Sequence, residues 1–188
     1  TGECVGETEM SKFLCYTVGL ATFFVSIHVT RAEVSAIDDT GQSIVLTKPA
    51  TRVISLAPNL TEILFHVGAG SQTVGVVDYS DFPPDALGVP KIGSSDQFDL
   101  EAILALKPDL VVAWESGNPA GDVQQLEELG IPVFKSEPRT LDDISSLIRS
   151  LGMLTGHSIT SEARAVAFLE GTTKIRNKYQ NRPNLRVF

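Results

Sequence analysis

The side chains able to do covalent or metal chemistry are few and stand apart. Both cysteines, Cys4 and Cys15, precede residue 33, and His66 and His157 lie far from each other without the spacing of metal ligands. Each of these histidines reads as a solvated side chain. Ser94-Ser95-Asp96 sits in no nucleophile elbow, and neither a G-x-G-x-x-G fingerprint nor a phosphate-binding P-loop occurs. Gly68-Ala69-Gly70 reads as a helix terminator. The expectation is a protein that is not an enzyme and has no resident metal or cofactor.

What the chain does offer is the means to bind. Its single tryptophan, Trp114, and one of its three tyrosines, Tyr79 in the stretch DYSDFPP over residues 78–84, each follow a short apolar run. Taken singly, Trp114 would cap a strand and Tyr79 would pack on Phe82 in a turn. Taken together on neighbouring loops, two rigid rings form a platform for a large, flat, apolar ligand. Burying about 150 Å² per ring at about 25 cal/mol per Å² is worth a few kcal/mol each as a gross upper figure. Association costs at least about 4 kcal/mol, so two rings fall short of the roughly −8 kcal/mol that submicromolar capture requires. A second wall is needed.

The elements that must position these rings are legible from periodicity. Asp38 to Gln42 is turn chemistry, and Ser43 to Leu46 suits an edge strand of a hairpin or N-terminal arm. Four apolar runs then alternate with helical stretches: Val53 to Ala57, Thr73 to Val77, Leu110 to Trp114 and Pro132 to Phe134. Between them the spacing predicts helices from Asn59 to Val67, Leu100 to Leu106, Gly121 to Leu129 and Leu141 to Thr155. Asn59 with Glu62, Asp99, and Thr140 with Asp143 stand at capping positions. This alternation implies βαβ units and an α/β, Rossmann-like parallel sheet. Ligands of such sheets bind outside the carboxyl ends of the strands, which selects four loops: Pro58-Asn59, Asp78 to Pro84, Trp114 to Pro119, and Glu137-Pro138.

Beyond the sheet, Ser158 to about Gln180 reads as a long polar helix, a strut, with Ala163, Val166, Ala167, Ile175 and Tyr179 available to pack. Leu185-Arg186-Val187-Phe188 has the pattern of a new strand, so a chain truncated after one lobe is expected, with a second domain to follow. At the other end, Met10-Ser11-Lys12, an apolar stretch from Phe13 to Val29 and Thr30-Arg31-Ala32 match a secretory signal peptide. A membrane anchor would need an uninterrupted span of about 20 residues, and Tyr16, Thr17, Ser26 and His28 break this one. Residues 1–9 fit no targeting pattern. From Glu33 onward 20 acidic and 13 basic side chains leave a net charge of −7, which argues against nucleic acid as a partner.

The runs RVISLAPNLTEILFHVGAG, VGVVDYSDFPP and FDLEAILALKPDLVVAW resemble the periplasmic substrate-binding proteins of ABC importers for cobalamin, ferric siderophores and haem. The similarity extends from Arg52 to Phe188 and is nearest to the vitamin B12-binding branch. DDTGQSIVLTKPATR resembles the arm of the iron-complex branch. The resemblance implies two α/β lobes joined by one long helix, with ligand held in the cleft between them. Residues 33–50 would be the arm, 51–157 the first lobe, 158–181 the connecting helix and 182–188 the start of the second lobe. By motif match Tyr79 and Trp114 correspond to aromatics that pack on the corrin ring, and Pro58 and Asn59 line the cleft. Glu101 matches an acid by which the first lobe docks on an inner-membrane permease. A further family aromatic before the FDLE motif is replaced here by Ser95. The expected ligand is cobalamin or a related corrinoid, with a ferric siderophore or haem as the alternative, and the expected location is the periplasm.

Overall fold

A computed structural model describes residues 33–183 and Arg186. The segment expected to be a signal peptide, both cysteines and, apart from Arg186, the strand expected over 185–188 lie outside the described residues. The chain opens with an antiparallel hairpin, β1 (Val34–Ile37) and β2 (Ser43–Leu46). Its turn is closed by the Asp38 carboxylate, which accepts from the Thr40 and Gln42 amides and the Thr40 hydroxyl.

Four strands form one parallel sheet: β3 (Val53–Ser55), β4 (Thr73–Val76), β7 (Leu110–Trp114) and β8 (Val133–Ser136), in spatial order β4-β3-β7-β8. Between β4 and β7 a small hairpin, β5 (Gly93–Ser94) and β6 (Gln97–Phe98), adds an element with no periodicity in sequence. The continuous apolar runs of β3 and β7 follow from their central position, where both faces are covered. Val53, Leu110, Val112 and Phe134 pack on one side with α1 (Pro58–Val67), α4 (Leu141–Leu154) and the start of α5 (Ser158–Tyr179). Ile54, Leu56, Val111, Ala113 and Val133 face α2 (Leu100–Ala105) and α3 (Ala120–Glu128) on the other.

The caps follow the expected chemistry with one exception. Asp99 accepts from the Glu101 and Ala102 amides to start α2, and Thr140 and Asp143 form a reciprocal box at α4. The box expected of Asn59 and Glu62 does not form. Helix α1 begins one residue earlier, with Pro58 in its first turn and Ala57 as an N-cap that offers no side chain. Proline fits that first position because its missing N–H would be unpaired there and its φ is already helical.

Two further expectations are corrected. Helix α5 buries Ser161 and Ala165, with Phe168 half-buried against the core, while Ala163, Val166, Ala167, Ile175 and Tyr179 are exposed. His157 is not a solvated side chain: its Nε2 lies 2.9 Å from Gln72 Oε1, and Gln72 donates to the Ala50 and Thr155 carbonyls. It knots the base of the lobe where α5 begins.

Helices α4 and α5 are joined by a close approach and an ion pair. A Cβ on Gly152 would stand 2.1 Å from Ser161 Cβ, and Arg149 reaches Glu162 through two bonds of 2.7 and 3.0 Å. Gly152→Ala is therefore expected to push the helices apart and destabilise the fold by about 1–3 kcal/mol, read as a lowered denaturation midpoint at unchanged slope. The Asp143 carboxyl is held below its ordinary value by the Arg139 and Thr140 amides and then by the Thr140 hydroxyl. A depressed folded-state value means that this contribution is present above the unfolded aspartate value and lost as pH falls through the folded one. Asp143→Asn should lower stability at neutral pH and flatten the acid limb of the melting temperature below about pH 4.

Candidate ligand-binding rim

The strand order puts the reversal of connectivity between β3 and β7, so the crevice opens where the β3–α1 junction and the loop after β7 diverge. At that junction Pro58 is half-buried and Asn59 exposed. Because α1 has no side-chain cap, its first turn presents backbone N–H groups to the rim.

Tyr79 follows β4. Its φ of 62° is left-handed, a conformation uncommon for a bulky residue, and its side chain is 85% exposed. Phe82 is also exposed, so Tyr79 does not pack away in its own turn. What holds this backbone lies underneath. Thr61 Oγ1 of α1 stands 2.9 Å from Ser55 Oγ at the end of β3 and 3.1 Å from Ser80 Oγ, all three residues being buried. Ser55 Oγ in turn donates to the Ala57 carbonyl at 2.9 Å. Each hydroxyl has one hydrogen and two lone pairs, so the chain is satisfied when Ser80 gives to Thr61, Thr61 to Ser55 and Ser55 to Ala57. Lys91 Nζ adds a bond of 2.8 Å to the Ser80 carbonyl.

Trp114 ends β7 and is 40% exposed. Its ring lies over Gly117, where a Cβ would come within 1.9 Å of the indole. Asn118, almost wholly buried, accepts from the Trp114 amide at 2.6 Å and donates to the Leu56 and Ser95 carbonyls at 2.9 and 2.7 Å. One amide thus joins the loop after β7, the end of β3 and the β5–β6 hairpin. Ser95, at the position of the missing aromatic, contributes its carbonyl to this knot. Across the rim Glu137 accepts from the Ser116 hydroxyl at 2.8 Å and the Ser116 amide at 3.2 Å. The Ser116 hydroxyl, then the amide, Arg139 and the Trp114 side chain outweigh desolvation and hold Glu137 below the ordinary carboxylate range.

The loops carrying the two rings, expected to be neighbours, do not follow adjacent strands. Strand β3 lies between β4 and β7, which separates their strand axes by about 10 Å. A cavity of about 260 Å³ opens beside Trp114 between β7, β8 and α3. Glu101 is exposed in the first turn of α2, and its carboxylate has no partner among the described residues. No cluster of three or more metal-ligating side chains occurs among the described residues. Sequence reasoning missed Thr61, Ser80 and Asn118. Nothing distinguishes them from ordinary helix and turn residues until the strand order is known.

Gly117→Ala should displace the indole. The expected readout is a shift in Trp114 emission and greater quenching by acrylamide, taken against a Trp114→Phe control; an unchanged spectrum would mean that the ring is seated by other contacts.

Residues 53–185 match the family model described as periplasmic binding protein. The chain is 36% identical over 140 residues to a vitamin B12-binding protein of Vibrio cholerae, covering 74% of this chain and 51% of that one. It is 40% identical over 139 residues to a vitamin B12-binding protein of Pectobacterium carotovorum, covering 73% and 50%. The chain spans about half the length of the curated relatives it matches. Among solved structures it is similar to the periplasmic vitamin B12 binding protein BtuF of Vibrio cholerae, with a TM-score of 0.70 at 36% identity over 73% of this chain and 54% of that one. It is also similar to the periplasmic heme-binding protein RhuT from Roseiflexus sp. RS-1, with a TM-score of 0.64 at 28% identity over 72% and 52%. With the fold, the extent of the family match and these identities in agreement, the chain belongs to the periplasmic binding protein family.

Proposed function

We propose that this protein is an exported solute-binding protein that captures cobalamin or a related corrinoid and hands it to an ABC transporter, with no chemistry of its own. The observation that carries this reading is the pair of exposed aromatics, Tyr79 and Trp114, on the carboxyl-end rim of the parallel sheet, each seated by buried polar bonds. The names of its relatives point to the same ligand class. The cavity beside Trp114 is below the range of about 300–1,000 Å³ usual for enclosed ligand sites. A large ligand therefore needs an opposite wall. In this reading residues 51–157 form one lobe, α5 is the connector, and the relatives' additional length corresponds to the other lobe.

Pro58 and Asn59 line the floor of the cleft, where N–H groups of the α1 first turn suit an anionic group of the ligand. Glu101, exposed and unpaired among the described residues, is the docking acid for basic groups of an inner-membrane permease.

A second reading, capture of haem or a ferric siderophore, is favoured by Ser95 in place of an aromatic and by the similarity to a heme-binding protein. Haem iron takes histidine, cysteine, methionine or tyrosine ligands, and among the rim residues described above Tyr79 is the one that could serve.

Titration of the full-length protein with cyanocobalamin, hemin and ferrichrome separates the readings. Submicromolar cyanocobalamin binding with weak binding of the others is the expected result; tight binding of hemin or ferrichrome without cyanocobalamin would overturn it. Tyr79→Ala and Trp114→Ala should each weaken cyanocobalamin binding at least tenfold, about 1.4 kcal/mol. Tyr79→Phe should leave corrinoid affinity within a fewfold, whereas a tyrosine-ligated haem would lose its charge-transfer absorbance.

A further inference from the structure

Both aromatic loops are tied to the same short piece of backbone. The Leu56 carbonyl takes the Asn118 amide that seats the Trp114 loop, and the next carbonyl, Ala57, takes the hydroxyl chain through Ser55 and Thr61 that seats the Tyr79 loop. Leu56, Ala57, Ser55 and Thr61 are fully buried, so no water competes for these groups. Removing Asn118 takes the side-chain donor from the Leu56 carbonyl in a dry site, and removing the Thr61 hydroxyl takes from Ser80 its side-chain partner, each a larger loss than the bond itself.

The geometry points to Asn118 and Thr61 as positioning residues that fix the separation of Tyr79 and Trp114 and thereby select ligands with a rigid face wide enough to bridge them. Two anchors on consecutive carbonyls let neither loop slide relative to the other. The strand axes beneath the two rings lie about 10 Å apart, twice the spacing of neighbouring strands. A ligand as small as a single sugar or amino acid does not span that distance. A rigid macrocycle can, and it meets a surface whose ordering cost has already been met in the free protein. This inference rests on the ligand-binding reading of the two rings, but its physical content is present without ligand.

The test is therefore made first on the ligand-free, full-length protein. Thr61→Val keeps shape and removes the hydroxyl; Thr61→Ser restores it; Asn118→Ala removes the second anchor. Amide hydrogen exchange over residues 78–82 should accelerate at least tenfold in Thr61→Val and return to the wild-type rate in Thr61→Ser. Exchange over 114–118 and acrylamide quenching of Trp114, referenced to Trp114→Phe, should rise in Asn118→Ala. Should Asn118→Ala not fold, the threonine pair carries the test alone. In folded variants cyanocobalamin affinity should fall about tenfold, the factor expected if the competent arrangement drops to about a tenth of molecules, and Thr61→Ser should recover it. Unchanged exchange and quenching in folded Thr61→Val and Asn118→Ala would overturn the assignment. Looser loops with unaltered affinity would also overturn it, because the separation would then not govern binding. A wild-type protein that binds none of the three ligands would defeat the ligand reading, while the exchange rates alone still decide whether these residues position the loops.

Discussion

Two consecutive carbonyls, those of Leu56 and Ala57, form the point on which the rim depends. They sit where β3 gives way to α1, buried on every side, and each must find a donor because none can come from water. Leu56 takes a side-chain amide from beyond β7, while Ala57 takes the Thr61 backbone N–H, the first bond of α1, and in addition the hydroxyls of Ser55 and Thr61. Satisfying the buried Leu56 acceptor is thus the same act as seating the loop after β7, and the hydroxyl chain ties the Tyr79 loop to the start of α1. Loop geometry here follows from the interior of the sheet.

The surrounding core makes that arrangement possible. Strands β3 and β7 bury side chains on both faces, which places their carboxyl ends at a fixed height between two helical layers. Tyr79 departs from the ordinary preferences of the backbone, with a left-handed φ on a bulky aromatic. A conformation of that kind costs of order 1–3 kcal/mol and persists only where neighbours over-determine it. Ser80, held by Thr61 on one side and Lys91 on the other, is the neighbour that does so.

Much of this was legible in the residues. The four apolar runs became the four parallel strands, and Asp99, Thr140 and Gly68 ended or began helices through their own side-chain or backbone chemistry. Tyr79 and Trp114 stand on the expected rim. What was hidden has a common cause. Helical periodicity could not tell that Pro58 rather than Asn59 opens α1, because both suit a helix start. It misread the packing face of α5, a helix whose apolar residues are spread around its circumference, because burial there depends on the Gly152–Ser161 approach from another helix. Above all, strand order is not written in any local pattern. Without it β3 cannot be seen to separate the two aromatic loops, and Asn118 remains one polar residue in a turn.

The N-terminal hairpin has a mechanical meaning. Its turn is fastened to the last strand at three points: the Asp39 amide donates to the Lys135 carbonyl, and the Asp38 and Asp39 carboxylates accept from the Lys135 and Glu137 amides. Glu137 is the same residue that grips Ser116 three positions before Pro119. A load applied to the arm near Glu33 would thus travel through two aspartates and one glutamate to the loop carrying the tryptophan. The arm is a tether whose tension the aromatic rim would feel, so a bulky fusion or surface attachment near Glu33 would load the rim through these bonds.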